Sequence, residues 1–171
     1  MKIKQIAAAA ALVTASVGAS AFVVPWGVHD PAELGGTLFF GTGSSFPFEA
    51  EYTFTLSTLS NLLAVAVTND APGVFDINGA TVSLYASNGD ADYTNDLLIG
   101  SFAFDSTAVT STFSSLAAGA YYYKLVGSVD GPFGGSYLLS SSLVPVPEPE
   151  TAALLLGGLG ALGLLARRRR S

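Results

Sequence analysis

The chain has 171 residues, half of them hydrophobic and 12% charged, which leaves room for one domain of ordinary size plus targeting segments, and a second full domain is not expected within it. Cysteine is absent, which excludes disulfides, thiolate metal sites and cysteine nucleophiles. The 13 acidic residues all fall between Asp30 and Glu150, where Lys124 is the one basic residue; a surface of that sign repels phosphate backbones, so no nucleic-acid partner is expected.

The first segment is MKIKQIAAAAALVTASVGASAF. Lys2 and Lys4 make a positive start and Ile6 to Val13 a short apolar stretch. Ala19 and Ala21 supply the small residues that signal peptidase accepts before Phe22. Residues 1–21 are therefore predicted to be a secretory signal peptide, with Val17-Gly18-Ala19 as a second place to cut. Signal peptidase is the expected first processing partner.

From Phe22 to Val144, apolar runs alternate with Gly, Asn, Asp and Ser breakers at the spacing of an antiparallel β-sandwich. Residues 22–144 are predicted to be that sandwich, all-β, with about eight strands. GTLFFG is the first and GVFDIN a later one. EYTFTLS sets Tyr52, Phe54 and Leu56 on one face against Glu51, Thr53 and Thr55. In NLLAVAVT the same reading turns Leu63, Val65 and Val67 inward. ATVSLYAS sends Val82 and Leu84 inward against Tyr85, and GSFAFD adds Phe102 and Phe104. LAAGAYYYKLVGS is a turn feeding a strand with Tyr121, Tyr123 and Leu125 on one side, and GGSYLLSSSLV closes the series.

Three features of this region bear on chemistry. His29, the sole histidine, stands beside Asp30, but neighbours on an extended chain point to opposite sides, and a solvated N-terminal segment is the expectation. SNGDADYTNDLLIG gathers Asn88, Asp90, Asp92, Asn95 and Asp96 in a loop. Asp90, Asp92 and Asp96 form a weak calcium candidate without EF-hand spacing, because Asn95 and Ser101 stand where that loop needs Gly and Glu. No resident metal or other cofactor is expected. Tyr121, Tyr122 and Tyr123 place rings on both faces of one strand, so Tyr122 is the residue to test for stacking on a sugar. No G-x-S-x-G elbow accompanies the many serines, and no catalytic residue is assigned.

After the last strand, residues 145–150 hold Pro145, Pro147 and Pro149, which cannot donate backbone hydrogen bonds, and are predicted to be an extended spacer. Residues 151–166 are uncharged and carry seven leucines among four glycines. As a helix they span about 24 Å against a hydrocarbon thickness of about 30 Å, a marginal single transmembrane helix. Residues 167–171, with Arg167, Arg168, Arg169 and Arg170, are predicted to stay in the cytoplasm by the positive-inside rule, which places the sandwich outside.

The order of Val146-Pro147-Glu148-Pro149, a Gly/Leu-rich stretch and an arginine cluster resembles the PEP-CTERM sorting signal of Gram-negative bacteria. The resemblance implies transient anchoring in the inner membrane with a periplasmic ectodomain. It further implies cleavage near the motif by an exosortase, and release or attachment at the cell surface in hosts that make exopolysaccharide or biofilm matrix. FEAEYTFTL, AAGAYYYKLVG and GGSYLLSSSL resemble the FxDxF branch, with Phe48 and Tyr52 as the flanking aromatics. Ala50 replaces the acidic residue, between Glu49 and Glu51, so the Asp role of that branch has no counterpart here. The expectation is a non-enzymatic structural or adhesive surface protein with exopolysaccharide as a partner. The alternative is a small secreted polysaccharide-modifying enzyme or a calcium-dependent glycan-binding module.

Overall fold

Period-two alternation turns into strands throughout the central region. The computed structural model describes residues 20–41, 43–71, 73–90, 94–144 and 157–159. Among them are nine strands: β1 Ser20–Val28, β2 Ala32–Phe40, β3 Phe46–Leu56, β4 Ser60–Asn69, β5 Ile77–Ala86, β6 Leu97–Ala103, β7 Val109–Leu116, β8 Gly119–Val129 and β9 Gly134–Val144. They form two sheets, one ordered β1-β3-β8-β5-β6 and the other β2-β9-β4-β7. The β1–β3 pairing is parallel, whereas β2–β9, β3–β8, β4–β7, β4–β9, β5–β6 and β5–β8 are antiparallel. The sheets face each other as a sandwich, in agreement with the all-β expectation.

The space between the sheets is filled mainly by aromatic rings. Phe48 stacks on Tyr137 at 5.4 Å, Phe39 lies 4.7 Å from Phe48, and Phe54 and Tyr123 are 5.3 Å apart. Rings this large need room on the facing strand. At Gly35 of β2 an added Cβ would overlap the ring of Tyr52, and at Gly127 of β8 it would come within 2.7 Å of Phe48. These glycines are therefore sites of close approach rather than turns.

Buried hydroxyls must also find partners. Tyr52 and Tyr137 hydroxyls bond to each other at 2.9 Å, linking β3 of one sheet to β9 of the other. Tyr123 bonds to Ser141 Oγ at 2.9 Å, linking β8 to β9. Among the described residues the buried indole N–H of Trp26 has no partner, a local cost of the aromatic packing.

Several expectations are corrected by these coordinates. In β4 the inward residues are Leu62, Ala64 and Ala66, all fully buried, while Leu63, Val65 and Val67 face outward and are half-buried. Both alternating sets of this strand are apolar, so periodicity could not choose between them. Packing against the facing sheet chooses, placing Ala64 and Ala66 beside Leu62 in the core.

GVFDIN is not a separate strand. Gly73 has φ +76° and Ala71 closes a turn with Phe75, so the strand begins only at Ile77. Two strands were missed. Strand β7 is serine- and threonine-rich, with Phe113 and Leu116 as its buried apolar residues. Strand β1 spans the predicted signal cleavage point, with Ser20 and Ala21 paired to Phe48 and Glu49. It is an edge strand, and Pro25 and a bulge before Gly27 blunt its free side.

Residues 1–19, 145–156 and 160–171 lie outside the described residues, and so do nearly all of the predicted signal peptide, Val146, Pro147, Glu148, Pro149 and Arg167 to Arg170. Within the predicted span, residues 157–159 form a helical turn, and among the described residues no helix is long and apolar enough to cross a membrane.

Replacing Gly35 by Val forces Tyr52 off its position and should destabilise the fold by about 1–3 kcal/mol, the usual cost of overpacking. Chemical denaturation followed through the single Trp26 would measure it. A midpoint equal to that of the unaltered chain would mean that the two sheets are not this close.

Candidate functional site

Two polar constellations and one groove in the described residues have geometry that bears on function. The first is internal. His29 follows β1 at the crossing to β2 and is 5% exposed, not solvated as its position near the N-terminus suggested. Its ring packs edge-on against Trp26 and Phe54 at 6.1 and 5.0 Å. Nδ1 lies 2.5 Å from the carbonyl of Asp30, an acceptor, so Nδ1 carries the proton. Nε2, 2.9 Å from Ser141 Oγ, then accepts from that hydroxyl, and Ser141 accepts from Tyr123.

The chain of donors runs one way only while His29 is neutral. Burial lowers the His29 pKa, and the Asp30 carbonyl together with the charges of Glu33 and Asp30 opposes that shift. Burial pushes the Tyr123 hydroxyl well up, opposed by its bond to Ser141. Ser141 has no exposed surface, so this Ser–His pair meets no substrate and acts as an interior polar lock.

The second constellation lies on the outer face of the five-stranded sheet. Glu49 bonds to Lys124 across β3 and β8 at 2.7 Å in a half-exposed ion pair, which contributes little stability. Glu51, one step along the same face, is only 6% exposed. Burial pushes its carboxyl above the usual range; Lys124 opposes the shift, and Glu49 and Asp96 reinforce it.

Tyr122 also projects from this face but is 2% exposed, stacked on Tyr85 at 5.1 Å and bonded to Asp96 from the loop between β5 and β6. Asp96, just before β6, thus reaches over the sheet. Little of the Tyr122 ring is open to a sugar face, and what is open borders a groove at one end of this face. Period-two reasoning gave the correct face and could not see the cover.

Two of the three calcium-candidate carboxylates are tied to Asn88. Asp90 accepts from the side-chain amides of Asn88 and Asn95 at 3.1 and 3.2 Å, while Asp96 accepts the Asn88 backbone N–H at 2.9 Å and turns to Tyr122. Asp92 lies outside the described residues, and among those described no group of three metal-ligating side chains comes together.

A further acid cluster escaped the sequence reading because its members are far apart in the chain. Asp130 accepts from Ser45, from Ser128 at 2.7 Å and from Asn78 at 2.8 Å, and these bonds hold its carboxyl below the usual range. It clips together the loop after β2 and the ends of β5 and β8.

One end of the outer face, where the β5–β6 loop meets β1, encloses a groove of about 400 Å³. Pro25, Val28, Thr53, Thr55, Ser87 and Asp90 line it. Its hydroxyls and one carboxylate suit hydrogen bonds to a neutral or cationic polar ligand.

Residues 145–170, which begin directly after Val144 of β9, match the PEP-CTERM protein-sorting motif. No curated protein sequence matches the chain. Among solved structures, the pre-peptidase C-terminal domain of a Bacillus anthracis collagenase is similar at 17% identity, over 71% of this chain and 95% of that one, with a TM-score of 0.44. A periplasmic inhibitor of g-type lysozyme, PliG of Aeromonas hydrophila, is similar at 12% identity over 72% and 99%, with a TM-score of 0.40. CorA of Methylomicrobium album BG8, described as a surface-associated copper-binding protein, is similar at 7% identity over 72% and 100%, with a TM-score of 0.44. These likenesses are distant, and no ligand or activity is carried across from them.

Two titrations follow from burial. The folded state binds the His29 proton less well than the unfolded chain does, so this contribution to stability is complete above about pH 6.5 and lost as pH falls through the lower folded value. His29→Gln should flatten that loss in calorimetric unfolding; an unchanged profile would show that His29 is not buried. Glu51 has the opposite sense. Its folded pKa lies above 4.5, so ionisation disfavours the fold at neutral pH. Glu51→Gln should raise the melting temperature at pH 7, with the gain vanishing below about pH 4.5. A lowered melting temperature at pH 7 would show that Lys124 stabilises the Glu51 carboxylate by more than burial penalises it.

Proposed function

We propose that this chain, which carries the PEP-CTERM sorting motif, is exported by its N-terminal signal, held briefly in the inner membrane by residues 151–166 and delivered to the cell surface by an exosortase. The observation that carries this reading is the junction at residue 145. The sandwich uses every residue of β9 up to Val144, and the sorting motif starts at the next position. Residues 145–150, whose three prolines cannot donate backbone hydrogen bonds, thus offer a processing enzyme a segment that begins only after the last residue of β9.

At the surface the sandwich serves as a non-catalytic structural or adhesive module in exopolysaccharide or biofilm matrix. The interior placement of the Ser–His pair supports a non-enzymatic role. The groove beside Thr53, Thr55 and Asp90, whose lining includes the largely buried Tyr122, is the place for a neutral glycan to bind. Membership of the FxDxF branch is part of this proposal. It rests on Phe48 and Tyr52, which both point into the core on either side of the fully buried Ala50. A carboxylate at position 50 would be enclosed by apolar groups, which accounts physically for alanine there.

Intact mass measurement of the protein recovered from cells with and without exosortase is the test. With the enzyme, the termini should fall near Phe22 and within residues 145–150; without it, Arg167 to Arg170 should remain. Recovery of the whole chain, from Met1 to Ser171, in the cytosol of exosortase-positive cells would overturn the reading.

A further inference from the structure

The two outer faces of the sandwich differ in kind. The five-stranded sheet displays Glu49, Glu51 and Lys124. From the four-stranded sheet, by contrast, no charged side chain projects outward: β2 presents Leu34, Leu38 and Phe40, β4 presents Leu63, Val65 and Val67, β9 presents Leu138 among serines, and β7 presents threonines. Leu34, Leu38, Phe40 and Leu138 are 40%, 37%, 58% and 48% exposed.

The strand register makes these residues neighbours. Leu138 lies between Gly36 and Val67, and Ser140 lies between Leu34 and Val65. Two aliphatic ridges on β2 and β4 thus flank a shallower line of serines on β9. A contiguous apolar area of a few hundred Å² on a monomer marks an interaction surface.

We propose that this face packs against the same face of a second copy of the chain, sheet on sheet, with the twofold axis parallel to the strands. Three observations favour a second copy over other occupants. First, the one carboxylate on the strands of this sheet, Glu33, lies at the end of β2 on the alternate set to Leu34 and Leu38 and accepts from Asp30 N–H, so joining the middles of two such faces brings no like charges into contact. Second, the face measures on the order of 600 Å² in plan, from four strands about 4.8 Å apart and about ten residues long. That approaches the roughly 800 Å² per partner of a standard interface, enough for chains concentrated on one surface.

Third, β9 lies inside this sheet and the chain leaves it at Val144 toward the sorting motif. A twofold axis along the strands puts both copies' Val144 at the same end, so both tails reach one membrane. This third point rests on the anchored topology proposed above; the first two do not.

The absence of cysteine permits a direct test on the full-length chain. Ser140→Cys places a thiol in the middle of the face, and Ser83→Cys places one on the outer face of the other sheet. In the membrane fraction, a short bismaleimide should join Ser140→Cys chains into dimers as the main product and Ser83→Cys chains at most a tenth as well. Adding Leu138→Asp to Ser140→Cys, with an unchanged melting temperature, should lower dimer yield about tenfold or more, a loss of at least about 1.4 kcal/mol of association.

The proposal is overturned if Ser140→Cys stays monomeric. Equal cross-linking at both positions also overturns it, as does a dimer that survives Leu138→Asp, which would point to association through the tail. Quenching of a label at position 140 by spin-labelled lipid would make the occupant a lipid surface instead. Should the chain be absent from the membrane fraction, the anchored topology fails, and the same comparison on soluble chains still decides whether the face self-associates.

Discussion

The structure depends on a layer of aromatic rings whose polar tips are satisfied only when the two sheets are correctly paired. Tyr52 needs Tyr137, and Tyr123 needs Ser141, which in turn serves His29. Each such bond contributes about 1 kcal/mol net, but leaving a buried hydroxyl unpaired costs about 1–3 kcal/mol. A one-residue slip of β9 would orphan several of these groups at once and turn Tyr137 and Ser141 to solvent. In a chain without cysteine, this arrangement specifies which strands face each other. The glycines at 35 and 127 serve the same layer by making room for its rings.

How far this was legible in the sequence differs from element to element. Strands β3, β5 and β8 alternate apolar and polar residues, and their faces were read correctly from Tyr52, Leu84 and Tyr123. Strand β4 alternates one apolar set with another, and only tertiary packing selects Ala64 and Ala66 for the interior. Strand β7 offers too few apolar residues to stand out, and β1 overlaps the predicted signal peptide at Ser20 and Ala21, which drew its residues into another reading. His29 was misplaced for a related reason, because burial of a lone imidazole depends on partners more than a hundred positions away.

The sorting signal was legible because its three parts are contiguous and its meaning does not depend on a fold. The outer-face constellation was not. Glu51 and Tyr122 are buried on an outward face where Asp96 approaches both, and no periodicity in either strand encodes that approach. The calcium candidate shows the converse. Its residues are adjacent in sequence, and in the folded loop Asp90 and Asp96 both accept from Asn88, while Asp96 also bonds to Tyr122 on the sheet.

These features describe a division of labour. Interior hydroxyls and rings hold the sandwich, its two outer faces present unlike surfaces, and the segment after Val144 sets the destination. The central claim is that the body ending at Val144 is complete in itself and that the tail is dispensable to it once delivery is over. Amide hydrogen exchange on the full chain, compared with the product recovered from exosortase-positive cells, tests this most directly. The account predicts the same slowly exchanging amides in β3, β4, β8 and β9 before and after processing. Loss of that protection when the tail is removed would contradict it.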